Sequence, residues 1–292
     1  MGSEDTASTG DFLAAELHRL GRDVREAEAG VRGEEHDVHA MRVAARRLRA
    51  VLAAASPVLR DARARWLRDE LRWLGLELSA SRDAQVLGGR LAAALDPDVL
   101  DNGIAVHVDG EVAAARARAV AALDSPRWVA LREAVTEVGT LALDPERAAE
   151  PATVGMARLV DRQSRRLRKA RRRARQAADG PVDAALHEVR KKAKGLRYLA
   201  EVAVPVIGAR AERLAVQAEE VQDVLGRHQD SVVAVERMHL LATSSGVGSE
   251  AALSLGQLAV EEEMIAARSR DEYDRLPTKL PTRLTKHALR KG

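Results

Sequence analysis

Residues 36–59 and 184–208 repeat one another at a constant offset of 148, and what they share is a helix carrying a ladder of cations. The first copy places His39, Arg42, Arg46 and Arg49 at spacings of three, four and three; the second has His187, Arg190, Lys194 and Arg197. The register continues through Leu48/Leu196 and Pro57/Pro205. At helical pitch, four such positions fall within an arc of about 80°. Met41, Ala44, Ala45, Leu48, Val51 and Leu52 take the opposite arc of the first helix. Val189, Ala193, Leu196, Leu199 and Ala200 take that of the second. The apolar arcs are core faces, so the cations point away from the core. An ordinary solvated face mixes signs, so that acids and bases pair at i,i+4. Neither stripe does so: Asp37 and Glu188 lie off it. The doubled, unpaired stripe predicts one long anion held between two related halves.

The duplication extends further. Leu78-Ser79-Ala80-Ser81-Arg82-Asp83 corresponds to Leu225-Gly226-Arg227-His228-Gln229-Asp230 at an offset of 147. Ala114-Ala115-Arg116-Ala117-Arg118 corresponds to Ala266-Ala267-Arg268-Ser269-Arg270 at 152. Arg82, Arg116 and Arg268 join the candidate anion contacts on this ground. Helical periodicity dominates the whole chain. Helices are expected at 11–29, 35–55 and 60–80, in a fourth from Ser81 to before Asp96-Pro97, and at 99–123 and 127–142. The last opens at an Asp124-Ser125-Pro126 cap. Beyond Asp144 to Pro151, helices at 153–177, 182–203, 206–226, 229–244 and 249–275 repeat the order. The reading is an all-α chain: a disordered start at 1–9, a first half at 10–144, a second at 145–276 and a basic, irregular tail at 277–292. Two pseudo-symmetric helical bundles would flank a basic groove or channel.

The helix at 153–177 adds a further stripe: Arg158, Arg162, Arg165, Lys169 and Arg172, flanked by Arg166, Arg168, Arg173 and Arg175. It should lie antiparallel to the second ladder helix, joined by Ala178-Asp179-Gly180-Pro181, so that two basic faces make one groove. The second half would then supply more of the charge. Arg47, Lys191 and Tyr198 adjoin the ladders and join the candidates. His39 and His187 are read as hydrogen-bond donors to the anion. Neighbouring cations should resist their protonation until an anion binds. Trp66 and Trp73 are read as core.

The charges are sorted rather than abundant: 47 Lys and Arg stand against 44 Asp and Glu, a net charge of +3. Heavy Ala and Arg usage is of the kind a GC-rich bacterial genome produces. With no Cys, disulfides, thiolate catalysis and Cys-bound metals are excluded, which fits a reducing cytoplasm. No apolar run reaches the roughly 18 residues of a membrane span, and MGSEDTASTG lacks the apolar core of a signal peptide. Glu261-Glu262-Glu263 is the one acidic run and reads as a solvated helix face, so neither metal, cofactor nor catalysis is expected.

The runs His39-Ala40-Met41-Arg42-Val43-Ala44-Ala45-Arg46-Arg47-Leu48-Arg49 and His187-Glu188-Val189-Arg190-Lys191-Lys192-Ala193-Lys194-Gly195-Leu196-Arg197-Tyr198 resemble the CHAD family (conserved histidine α-helical domain). The Ser81-Arg82-Asp83 and Leu225-Gly226…Asp230 turns fit the same pattern over about residues 10–276. Gln229 departs from it, since the family often has Asn there. The resemblance implies paired helical bundles with a basic central channel that binds inorganic polyphosphate. Polyphosphate-granule proteins would be further partners, in the cytoplasm or at granules. Some relatives carry a triphosphate-tunnel catalytic domain, for which this sequence shows no strand-rich segment; it looks like a stand-alone member.

Two other readings stay open. A nucleic-acid binder would use the same cations, but single-strand readers add aromatic stacking platforms, and aromatics are 2% of this chain. Nucleic acid is therefore expected to bind only non-specifically. A histidine phosphotransfer module is the third reading, since His187-Glu188-Val189-Arg190 is similar to a phospho-accepting helix.

Overall fold

A computed structural model describes residues 7–33, 37–176, 182–277 and 284–288. Helices account for nearly all of them. In chain order they are α1 Thr9–Glu26, α2 Glu28–Arg32, α3 Val38–Ala54, α4 Arg63–Ala94, α5 Pro97–Val99, α6 Ala105–Asp124, α7 Pro126–Thr136, α8 Pro145–Ala148, α9 Ala152–Gln176, α10 Val182–Ile207, α11 Ala209–Ala242, α12 Ser249–Arg275 and α13 Leu284–Ala288. A π turn, Leu100–Ile104, links α5 to α6. Among the described residues there is no strand, only isolated bridges at Ser8/Pro151 and Leu59/Leu143.

The helix starts are chemically marked. Ser8 Oγ accepts the Asp11 N–H at 3.1 Å, Asp37 Oδ1 that of His39 at 2.8 Å, and Ser125 Oγ that of Trp128 at 3.2 Å, with Pro126 at the first helical position. Such caps satisfy N–H groups that no helical carbonyl can reach.

Several boundaries differ from the sequence expectation. Ser81 to Asp83 and Leu225 to Asp230 are not turns: each lies inside one long helix, α4 or α11. Ser, Gly and Asp are weak helix formers, but packing overrides propensity here. Ser81 and Ser231 are buried, and Ser79 returns its hydroxyl to the Gly75 carbonyl at 2.7 Å. The helix at 182–203 runs on through Pro205 to Ile207. The start is not disordered throughout, because Thr9 is fully buried and donates to the Glu150 carbonyl at 2.9 Å. The tail contains α13, whose first N–H groups, on Leu284 and Thr285, donate to Asp161 at 3.0 and 3.1 Å. Residues 1–6, 34–36, 177–181, 278–283 and 289–292 lie outside the described residues, and with them parts of the expected start, the first ladder helix, the interhelical joint and the tail.

The apolar arcs predicted for α3 and α10 are buried, with Met41, Ala45, Leu48, Val51, Leu52, Val189, Ala193, Leu196 and Leu199 inaccessible to solvent. They belong to one large core shared by α1, α3, α4, α7, α9, α10 and α11. A second cluster, Leu87, Leu91, Ile104, Val108, Met238, Leu241 and Leu255 among it, closes the far ends of α4, α6, α11 and α12. Each cluster draws on both sequence halves. Trp128 is the fully buried tryptophan; Trp66 is 41% exposed, contrary to its reading as core, and Trp73 is half-buried beneath the Arg127 guanidinium.

The π turn approaches the α11–α12 connection so closely that a Cβ on Gly103 would lie 2.0 Å from the Gly246 carbonyl oxygen, at a φ of +94°. Only glycine tolerates both. Gly103→Ala should therefore lower stability by about 2 kcal/mol or more, read as a reduced denaturation midpoint with unchanged slope.

Candidate polyanion-binding site

α3 and α10 pack side by side. Their cationic arcs open into a cleft of about 930 Å³ that α4, α6 and α11 complete. His39, Arg42, Arg46 and Arg49 enter from α3, and His187, Arg190 and Lys194 from α10. Arg72 and Arg90 come from α4, Arg118 from α6 and Arg237 from α11. The two histidines aside, nine arginine and lysine side chains line the cleft with three carboxylates, Asp83, Glu111 and Asp230.

Those carboxylates are all engaged. Asp83 lies 3.7 Å from Arg42, Asp230 lies 3.8 Å from Arg190, and Glu111 pairs with Arg237. Arg90 pairs at 2.8 Å with Glu262, which is buried rather than part of a solvated acidic face. Arg46, Arg49, Arg72, Arg118 and Lys194 form no ion pair within 4 Å among the described residues, although Asp83 acts on Arg46 and Asp230 on Lys194 at longer range. The Nε of Arg190 is buried and makes no hydrogen bond.

This crowding shifts the protonation equilibria of the cleft. Burial, and then Arg46, Arg190 and Arg42, push the Lys194 ammonium down to about 7, with Asp230 acting the other way. Burial, Arg46 and Arg72 likewise lower Arg49. Asp83 is held above the usual carboxylate range, first by burial and also by Asp230 across the cleft, despite Arg42. His187 Nδ1 donates to Gln229 Oε1 at 3.0 Å.

Other predicted anion contacts lie elsewhere. Arg197 is turned from the cleft by Glu201 and Glu219, each at 2.8 Å. Arg47 pairs with the same Glu201, and Tyr198 is buried between the two guanidiniums, 5.8 and 5.9 Å from its ring centre. These three clamp α3 to α10. Lys191 is exposed and pairs with Glu188. On α6 it is Arg118, not Arg116, that faces the cleft, and Arg268 is exposed, donating to its own helix at Met264. Arg82 sits on α4, but its side chain lies outside the described residues.

The row on α9 also fails to join the ladders. Met156, Leu159, Val160 and Leu167 face the core, so Arg162, Arg165, Arg166, Lys169, Arg172 and Arg173 project from the opposite side and line no part of the cleft. The expected imbalance is consequently reversed. Arg42, Arg46, Arg49, Arg72, Arg90 and Arg118 come from the first half, and only Arg190, Lys194 and Arg237 from the second.

A family model described as CHAD domain matches residues 15–239. The chain belongs to the CHAD family. A solved CHAD domain from the plant Ricinus communis is 25% identical, with a TM-score of 0.74 over 97% of this chain and 96% of that one. PptA from Streptomyces chartreusis shares the fold at 22% identity, with a TM-score of 0.75 over 94% of this chain and 100% of that one. Two uncharacterized proteins of Mycobacterium tuberculosis, strains CDC 1551 / Oshkosh and H37Rv, are each 33% identical over 265 residues, 87% of this chain. The chain spans about half the length of these curated relatives, 50% in each case.

Within this CHAD chain, four cleft arginines escaped the sequence reading, and two carried a signal. Arg90 and Arg237 stand 147 apart, in register with Asp83 and Asp230 one stripe earlier. Arg72 has Glu219 at its equivalent position, also 147 on. Arg49 therefore meets a cation where Arg197 meets an acid.

Proposed function

We propose that this CHAD domain binds inorganic polyphosphate along its cleft and performs no chemistry on it. The observation that carries the reading is the convergence of both ladders on one cavity in which cations outnumber carboxylates three to one. Polyphosphate offers no bases, so its recognition needs only a row of phosphate-directed donors. Positions three and four apart on a helix stand about 4.5–6 Å apart along the axis, which lets neighbouring guanidiniums engage successive stretches of one chain. Arginine suits this role because its planar fork grips phosphate through paired hydrogen bonds. Phosphoanhydride hydrolysis generally calls for a metal-holding carboxylate cluster, whereas each cleft carboxylate is occupied by an arginine. Titration with long-chain polyphosphate, against pyrophosphate and RNA at equal phosphate concentration, tests the reading. Polyphosphate should bind tightest and lose affinity steeply with salt as counterions are released. Displacement by RNA at equal phosphate overturns it.

Asp83 and Asp230 compete with the ligand for Arg42 and Arg190. The double variant Asp83→Asn, Asp230→Asn should therefore bind polyphosphate several-fold more tightly in the same titration. A weaker or unchanged affinity would give these aspartates a role other than internal counter-charge.

A further inference from the structure

The outward face of α9 is the strongest concentration of cations outside the cleft. Arg158, Arg162, Arg165, Lys169 and Arg172 lie within an arc of about 80° and cover about 21 Å of helix axis. Arg165, Lys169 and Arg172 are exposed, with Arg173 beside them. Arg158 pairs with Glu150; the others in the row have no carboxylate partner among the described residues. The Arg166 guanidinium is lowered by burial and by Arg162, a like charge packed against it.

One end of the row opens into a second cavity of about 280 Å³, which shares no lining residue with the cleft. Arg147, Arg158, Arg162 and Arg165 line it, and its two carboxylates are already engaged. Glu150 is taken by Arg158, and Asp161 accepts the N–H groups of Leu284 and Thr285 and the Thr285 hydroxyl. Arg162 and Arg165 thus face a recess without an anionic partner among the described residues.

We propose that this face of α9 is a second polyphosphate-binding surface, engaged by the same polymer that occupies the cleft. A long chain is then gripped at two places and a short one at a single place. The proposal rests on the polyphosphate reading of the cleft. Three observations select a linear phosphate polymer as occupant. The cations form a row, not a compact nest. α9 carries no aromatic side chain on which a base would stack. α10 lines the cleft and also supports α9, so the outward face of α9 is separated from the cleft by about two helix diameters, roughly 20–24 Å. A flexible polymer crosses that distance readily, and its second attachment then forms at high effective concentration.

The test reverses Arg162, Arg165, Lys169 and Arg172 to Glu in the full chain. A matching set to Gln covers the case in which the reversed chain fails to fold. Long-chain polyphosphate and tripolyphosphate, which spans one surface only, are titrated into parent, face variant and an Arg190→Glu, Lys194→Glu cleft variant. The expected result is a tenfold or larger loss for long-chain polyphosphate in the face variant, with tripolyphosphate affinity within twofold of the parent. Unchanged long-chain affinity overturns the second surface and leaves the cleft reading standing. Equal loss for both ligands reduces the face to a general field, which overturns it as well. Loss of poly(U) RNA binding with polyphosphate binding intact makes it a nucleic-acid surface, against the proposal. Full long-chain affinity in the cleft variant removes the cleft reading, and the two-point grip with it.

Discussion

Replacing Arg190 and Lys194 together by Glu lowers the affinity for long-chain polyphosphate at least tenfold and flattens its salt dependence. Both side chains reach the cleft from α10, one helical turn apart. Arg190 has a buried Nε with no hydrogen bond, and Lys194 forms no ion pair within 4 Å among the described residues. Asp230 lies 3.8 Å from Arg190, at the edge of ion-pair distance, so a phosphate can displace it, and a bound anion restores the charge of the Lys194 ammonium. A phosphate that the protein no longer neutralises keeps its counterion, so the slope of log affinity against log salt falls by about one for each such phosphate. The reversed residues lie among Arg42 and Arg46, which compensate two new carboxylates, so the fold is expected to survive. Lys191→Glu is the control. Lys191 is a neighbour in sequence but pairs with Glu188 outside the cleft, and its reversal should change affinity less than twofold. Equal losses in both variants would mean that the domain attracts polyanions by overall charge, not through this cleft.

The ladders were legible because their signal is local. Cations at helical spacing opposite an apolar arc fix which side of a helix faces water, whatever it packs against. What the ladders meet is decided by other helices, and there the one-dimensional signal thins. Stopping the second stripe at Arg197 omitted Glu201, one turn further on, which with Glu219 turns Arg197 from the cleft. The row on α9 has the same pattern as the ladders, yet it points elsewhere because its apolar arc docks on the other side of α10. No single-helix pattern carries that rotation. Ser81 to Asp83 and Leu225 to Asp230 read as turns because their propensities are poor, and long-range burial of Ser81 and Ser231 keeps them helical. That continuity matters for the site. It carries Asp83 with Arg90, and Asp230 with Arg237, into one cavity along α4 and α11. The all-α class was secure throughout, since helical periodicity runs the length of the chain and the cap at Ser125 is spelled out in it, whereas the caps at Ser8 and Asp37 are evident only in the structure.

Raising the pH from 7 to 9 weakens polyphosphate binding by a factor approaching tenfold per unit, and Lys194→Arg removes the steepest part of that decline. The cause is the Lys194 ammonium, which burial and the guanidiniums of Arg46, Arg190 and Arg42 bring down to about 7 from an ordinary 10.5. Below pH 7 the lysine is charged before and after binding, so no proton accompanies the ligand. Above pH 7 the free protein carries it neutral. A polyanion favours the charged form, so binding takes up a proton and loses affinity as protons become scarce. Calorimetry in buffers of different ionisation enthalpy should read an uptake close to one proton at pH 8 and much less at pH 6. Arginine at this position stays charged throughout, so whatever pH dependence persists in the variant belongs to other groups. Folding stability carries the opposite sign. Between pH 7 and 10.5 the unfolded chain holds more protons at this lysine than the folded one, so its contribution to stability grows as pH rises. The melting temperature of the parent relative to the Lys194→Arg variant should therefore climb across the window in which polyphosphate affinity falls. If both quantities fell together, a group other than Lys194 would govern the cleft.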